Sequence, residues 1–252
     1  MEYTEGYLAF IDILGFSTFV SDDKNANKTH DLFEFIKKFC YLFNKSPQLD
    51  VNVSFFSDSI VLTANNLDSL VVPIYIAESY LKQELGLLFR GGICYGKYYH
   101  EKGVTFGPAV VKAYRLEEQA VYSGIIIDRE IDLPFENSIL YFRDTDGWTY
   151  LNPMSTILPD EPVYPDQNFN EDINSCFTTF RKEILHNISK YKGTRVLEKY
   201  LWRVRPFNYT CNLLADLPCG EVLYESSNFS MNQPLKDMLR QQIITETDID
   251  HC

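Results

Sequence analysis

Long apolar runs, paired cysteines and a surplus of basic residues are all missing from this chain. No stretch approaches the ~18 continuous apolar residues of a membrane-spanning helix, so no membrane partner is expected. Met1-Glu2-Tyr3-Thr4-Glu5 lacks the basic and apolar regions of a secretion signal, and a cytoplasmic protein is the expectation. Cys40, Cys94, Cys176, Cys211, Cys219 and Cys252 are scattered without a C-x-x-C pair, which fits a reducing compartment and no zinc site. Only 23 Lys and Arg stand against 35 Asp and Glu, a formal charge of -12. That balance argues against nucleic acid or an anionic membrane surface as the main partner. It leaves nucleotides open, because a bound metal reverses the sign of the local field. There is no internal repeat and no low-complexity segment.

What the chain does have is enough apolar residues, 45% hydrophobic and 15% aromatic, to bury a core. Its organising stretch is Ala9-Phe10-Ile11-Asp12-Ile13-Leu14-Gly15-Phe16-Ser17. Tyr7 to Ile13 is apolar except for Asp12 and reads as a strand covered on both faces. A carboxylate there is costly to desolvate unless it meets a cation or several donors. Leu14, Gly15, Phe16 and Ser17 form a tight turn into a helix, whose free N–H groups suit phosphate oxygens. Asp12 therefore reads either as a metal acid beside a phosphate site or as a plain helix cap.

Farther along, Leu32, Phe35, Ile36, Phe39 and Phe43 mark one face of a helix over 30–43, with Thr29 as its cap and 22–28 as a loop. Val51 to Phe56 alternates and Ser57-Asp58-Ser59 interrupts before Ile60 to Thr63, which predicts a hairpin with Asp58 at its tip. Asp58 alone is also ordinary turn chemistry. A helix over 68–86 stops at Gly86, and Leu87 to Gly96 is a further strand whose Gly91, Gly92 and Gly96 mark either a close approach or a bulge. Strand, helix, hairpin, helix, strand is the order of a ferredoxin-like sheet. In that arrangement the first strand's end and the hairpin tip lie together, so Asp12 and Asp58 meet and repel unless they share divalent metal.

Pro108 opens the next helix, on which Val111 and Arg115 share a face; Arg115 reads as a functional cation or as a partner of Glu117 or Glu118. A strand follows at 124–128, then short strands near 139–142 and 148–151 among many prolines. Ile173 to Tyr191 and Val196 to Phe207 make two helical stripes that turn at Gly193. The basic residues around 190–205 read as a solvated face or a phosphate-contacting patch. Leu235, Leu239 and Ile243 mark a last short helix before a polar tail. The expected fold class is α+β: a ferredoxin-like antiparallel sheet with helices over 1–165, and a helical C-terminal extension over 166–252.

Four blocks carry a resemblance. Phe10-Ile11-Asp12-Ile13-Leu14-Gly15-Phe16 is similar to the F-x-D-I-x-G-F signature of class III nucleotidyl cyclases, and Ser57-Asp58-Ser59 to that family's second metal acid. Phe89 to Gly96 resembles its R-x-G-I-x-x-G strand, and Phe106 to Glu117 its helix carrying an arginine and a glutamate. The likeness spans roughly 7–128 and is closest to the stand-alone pyrimidine cyclases of bacterial Pycsar antiphage systems.

The resemblance implies that Asp12, Asp58 and the carbonyl of Ile13 hold two ions of Mn2+ or Mg2+. It also places Leu14, Gly15 and Phe16 at the phosphates, Phe10, Asn52 and Ser54 at the nucleotide, and Val104-Thr105 near the base. By the same resemblance Arg115 is expected to act across an antiparallel homodimer in composite sites. The substrate it implies is UTP, giving cyclic UMP for a downstream cyclic-nucleotide-responsive effector. Alternatives are CTP, then ATP, then a silent nucleotide-binding dimer module. The chain departs from the family at Val111, where an asparagine is usual; Lys112, Tyr114 or a hairpin group would then orient the ribose.

Overall fold

The computed structural model describes residues 2–120, 122–133, 138–155, 167–216, 222–224, 227–230 and 233–252. Two compact units account for them: Met1–Asp132 with Trp148–Tyr150, and Leu133–Gly147 with Leu151–Cys252. The expected boundary at 165/166 lies outside the described residues.

The first unit runs β1 (Thr4–Leu14), α1 (Phe16–Ser21), α2 (Ala26–Lys45), β2 (Val51–Phe56), β3 (Ser59–Ala64), α3 (Leu67–Tyr80), β4 (Leu88–Glu101), β5 (Val104–Phe106), α4 (Pro108–Gln119) and β6 (Ile125–Ile127). The sheet order β2-β3-β1-β4 is that of a ferredoxin-like split βαβ, and β6 extends it beside β4. The pairs β1–β3, β2–β3, β1–β4 and β4–β5 are antiparallel, whereas β4–β6 is parallel. The fold is mixed α+β, as expected.

Strand β1 explains the layering. Ala9, Ile11 and Ile13 are buried, while Phe10, Asp12 and Leu14 on the other face are half-buried. The strand is thus closed on one face and partly open on the other, not covered on both. Leu32, Phe39 and Phe43 of α2 and Leu70, Ile74 and Ala77 of α3 are buried as well. Each fully buried large aliphatic contributes on the order of 1.5–3 kcal/mol. The Asp12 face takes α4, which packs on β4 at Gly92. A Cβ there would meet Leu116 Cβ at 2.4 Å and Ala113 O at 2.5 Å, so only glycine lets the helix come this close.

Several boundaries move from expectation for physical reasons. Asp22 accepts from Lys24 N at 3.0 Å and starts a tight turn, so α2 begins at Ala26 and Thr29 lies inside it rather than at its cap. Gly86, at φ 70, ends the helical stretch as expected, and β4 runs on to Glu101.

The second unit holds β7 (Tyr141–Arg143), α5 (Gln167–Lys190), α6 (Leu197–Asp216), the two-stranded β9 (Val222–Tyr224) and β10 (Ser227–Ser230), α7 (Gln233–Gln242) and α8 (Glu246–Asp250). Strand β8 (Thr149–Leu151) pairs Thr149 and Tyr150 with β6 in the first unit. Phe177 and Phe207 pack at 5.8 Å between α5 and α6, with Gly193 at the turn. Asp144 is buried yet satisfied, taking Trp202 Nε1 at 2.8 Å and Arg205 at 2.9 Å. Thr245 caps α8 within what reads in sequence as a polar tail.

Candidate active site

Strand register builds the site. Asp12 stands opposite Ser59 on β3 and Arg90 on β4, on the open face of the sheet. Ser57 adopts φ 56 at the hairpin tip, and the carbonyl of the next residue, Asp58, accepts from Ile13 N at 2.8 Å. That bond docks the hairpin tip on β1 one residue beyond Asp12, so the two acids share one end of the sheet. Gly15, at φ 78, then turns the chain into α1, with Phe19 N bonded to Gly15 O at 3.0 Å.

Arg90, without a role in the sequence reading, and Glu117, read there only as a possible partner of Arg115, complete this end. Arg90 Nε lies 3.8 Å from Asp12 Oδ2 and is in ion-pair contact with Glu117 Oε1 of α4. The Glu117 side chain is only 3% exposed, and burial raises its pKa, with the Arg90 charge pulling it part of the way back. Arg90 is thus shared between a buried carboxylate and the candidate metal acid. A signal for this existed: an arginine on a glycine-rich strand facing a glutamate on the helix that those glycines admit.

Arg115 lies on the exposed face of α4 beside Val111, as expected. It pairs with neither glutamate: Glu117 is taken by Arg90, and Glu118 accepts from Tyr114 at 3.0 Å. Among the described residues its guanidinium has no partner, and no contact joins it to Asp12 or Asp58 of its own chain. Lys112, one of the groups expected to orient the ribose, is held by two carboxylates. It is bolted to Asp128 and, at 2.5 Å, to Glu130, tying α4 to the end of β6. Tyr114 packs edge-on against Phe10 at 5.5 Å, which makes these two rings part of the open face.

Phe10 also aligns with Val61 and Ser54 across β3 and β2. Ser54 Oγ is 2.8 Å from Thr105 Oγ1, and the exposed Asn52 donates to Thr63 Oγ1 at 3.4 Å. The face therefore carries carboxylates at one end, aromatic rings in the middle and hydroxyls at the other.

Among the described residues no group of three or more His, Cys, Asp or Glu side chains could hold a metal alone. Two carboxylates with a main-chain carbonyl are a donor set that fits Mg2+ or Mn2+ when phosphate oxygens and water supply the rest. No described helix is long and apolar enough to cross a membrane.

No protein-family model matches the sequence, and no curated protein matches it. The solved structures similar to it include the following two. One is an adenylate/guanylate cyclase/hydrolase from Silicibacter pomeroyi, at 16% identity over 60% of this chain and 98% of that one, TM-score 0.39. The other is the monomeric guanylyl cyclase domain of the RhoGC fusion protein from Blastocladiella emersonii, at 16% identity over 60% and 96%, TM-score 0.42.

Proposed function

We propose that the protein is a nucleotidyl cyclase that converts UTP to 3′,5′-cyclic UMP and pyrophosphate, producing a second messenger in antiphage defence. The observation that carries this reading is the Ile13–Asp58 backbone bond, which sets two acids at one end of an open sheet face. The four motif blocks, in register along β1, the hairpin, β4 and α4, support it from the sequence side.

Asp12, Asp58 and the Ile13 carbonyl would hold a pair of divalent ions, Mn2+ or Mg2+. When bound, these supply Lewis-acid activation of the ribose 3′-hydroxyl and charge neutralisation on the triphosphate. The chain's own residues do the positioning. Leu14, Gly15 and Phe16 turn the backbone beside the acids and offer amides to the β- and γ-phosphates. Phe10 packs along the sugar and base, and Ser54 with Asn52 meets the base at the hydroxyl end of the face. The 3′-hydroxyl oxygen attacks the α-phosphorus as its proton passes to solvent, the α-phosphorus–oxygen bond to the β-phosphate breaks, and pyrophosphate leaves.

Arg115 neutralises charge on the transferred phosphoryl group from the partner copy of an antiparallel homodimer. Its lack of a partner among the described residues supports that assignment, as do the exposed Val111 and Tyr114 beside it on α4. A cyclic-nucleotide-responsive effector would act downstream. A second reading, CTP to cyclic CMP, is favoured by the same uncharged Ser54 and Thr105, since hydroxyls pair with either pyrimidine.

Thermal unfolding tests the binding step. UTP with Mn2+ should raise Tm in the wild type and not in Asp12→Asn, because a ligand of the native state stabilises it by mass action. An unchanged wild-type Tm at saturating nucleotide and metal would contradict the reading.

A further inference from the structure

The outer end of β4 reaches the nucleotide face by folding back over it. Pairing with β1 ends at Tyr98, and Tyr99–Glu101 then pairs with β5, Thr105 standing opposite His100. Gly6 permits the overlay: a Cβ there would meet Ala64 O at 2.6 Å and the Tyr98 hydroxyl at 3.2 Å. The result is a continuous chain in which Thr105 Oγ1 lies 2.8 Å from Ser54 Oγ and 2.7 Å from His100 Nδ1. Ser54 is two strands and one two-residue step from Asp12 on the same face, roughly 12 Å by strand geometry. That separation suits a nucleotide whose phosphates meet Asp12 and whose base meets Ser54.

A hydroxyl has one proton to donate and two lone pairs, so its partner fixes what it can offer a ligand. If Nδ1 accepts, Thr105 donates to His100 and Ser54 donates to Thr105. Ser54 then shows the ligand only lone pairs. If Nδ1 carries a proton, it donates to Thr105, Thr105 donates to Ser54, and the Ser54 proton faces the ligand. At its 3-position uracil presents an N–H and cytosine a lone pair, so lone pairs on Ser54 suit uracil and a Ser54 proton suits cytosine.

Resting on the nucleotide-cyclase reading above, we propose that His100 is a positioning residue whose ring, acting through Thr105 and Ser54, sets which pyrimidine the site prefers. In this proposal the neutral ring is the Nε2–H tautomer, so that Nδ1 accepts from Thr105. The groups facing it from β5 and β2 are the uncharged Thr105 and Ser54, while the neighbouring Glu101 is bound to Tyr99. Burial lowers the His100 pKa, so the accepting form holds at neutral pH and the donating form appears on acidification.

The experiment measures kcat/KM for UTP and CTP from pH 5.5 to 8 in wild type, His100→Asn and His100→Leu, after thermal unfolding has checked that the variants fold. In wild type the UTP-to-CTP ratio should fall about tenfold as pH falls, the scale on which unpaired polar groups discriminate substrates. His100→Asn keeps a hydrogen-bonding atom near the Nδ1 position and should retain turnover with a pH-independent ratio. His100→Leu should lose the preference. A wild-type ratio that is flat or moves the other way overturns the proposal. Ring 15N shifts of His100 without nucleotide read the chain apart from activity: Nδ1 should be a hydrogen-bonded acceptor in wild type and free in Thr105→Val. Identical shifts overturn the proposal even if no nucleotide is cyclised. A wild type without cyclic product but with the expected shifts overturns the cyclase reading alone.

Discussion

The N–H of Ile13 donates to the carbonyl of Asp58 over 2.8 Å, a contact between the main strand and a hairpin tip that brings two acids to one rim. This contact uses backbone atoms only, and among the described residues the Asp58 side chain makes no hydrogen bond or ion pair that holds the hairpin. Asp58→Ala is expected to lower cyclisation by roughly 10²-fold or more. Stability should change within about 0.5 kcal/mol, as for most surface substitutions. Circular dichroism melts beside the activity assay check both halves.

Glu117 links stability to pH. Burial holds its folded pKa above the ordinary 4.5, so the unfolded chain ionises first as pH rises. Its contribution is full below the ordinary glutamate range and is lost as pH climbs through the raised folded value. The difference in unfolding free energy between wild type and Glu117→Gln should therefore fall over that window and level off above it. Denaturant melts at closely spaced pH values measure this, and a difference independent of pH would contradict it.

Gly92 is where α4 touches β4. Gly92→Ala drives a methyl into Leu116 and the Ala113 carbonyl, and overpacking of this kind costs about 1–3 kcal/mol. Since α4 also carries Glu117 and Arg115, activity should fall more steeply than the loss of folded protein accounts for. Tm and specific activity of the soluble variant separate the two effects.

Arg115 is expected to serve the partner's acids. Arg115→Ala alone should be inactive, folded and dimeric. Mixed with Asp58→Ala under subunit exchange, it should regain up to about a quarter of wild-type activity, because half of a random mixture is heterodimer with one intact site of two. Absence of rescue while exchange is demonstrated would count against the composite site.

Much of this architecture was legible because the local signals are strong. The period-two run before Ser57-Asp58-Ser59, the helical stripe Leu32 to Phe43 and the Pro108 helix start all predict elements that the structure contains. The turn into α1 is legible at Gly15 although its six residues are too few to show a period, whereas α8 sits in a stretch whose polarity hides its Thr245 cap. The parallel β4–β6 pair depends on long-range docking that no local pattern encodes. In the site, the adjacency of Asp12 and Asp58 followed from topology. The bolting of Lys112 by Asp128 and Glu130 did not, since those partners lie 16 and 18 residues on. The Ser54–Thr105 contact joins residues 51 apart through a folded-back strand end, which sequence spacing cannot reveal.

The most direct measurement incubates the purified protein with ATP, GTP, CTP and UTP in the presence of Mn2+ and identifies the products by mass spectrometry, with Asp58→Ala as control. Cyclic UMP and pyrophosphate from the wild type alone are the expected outcome. The same cyclic product from Asp58→Ala, or none from the wild type with any of the four, would contradict the account.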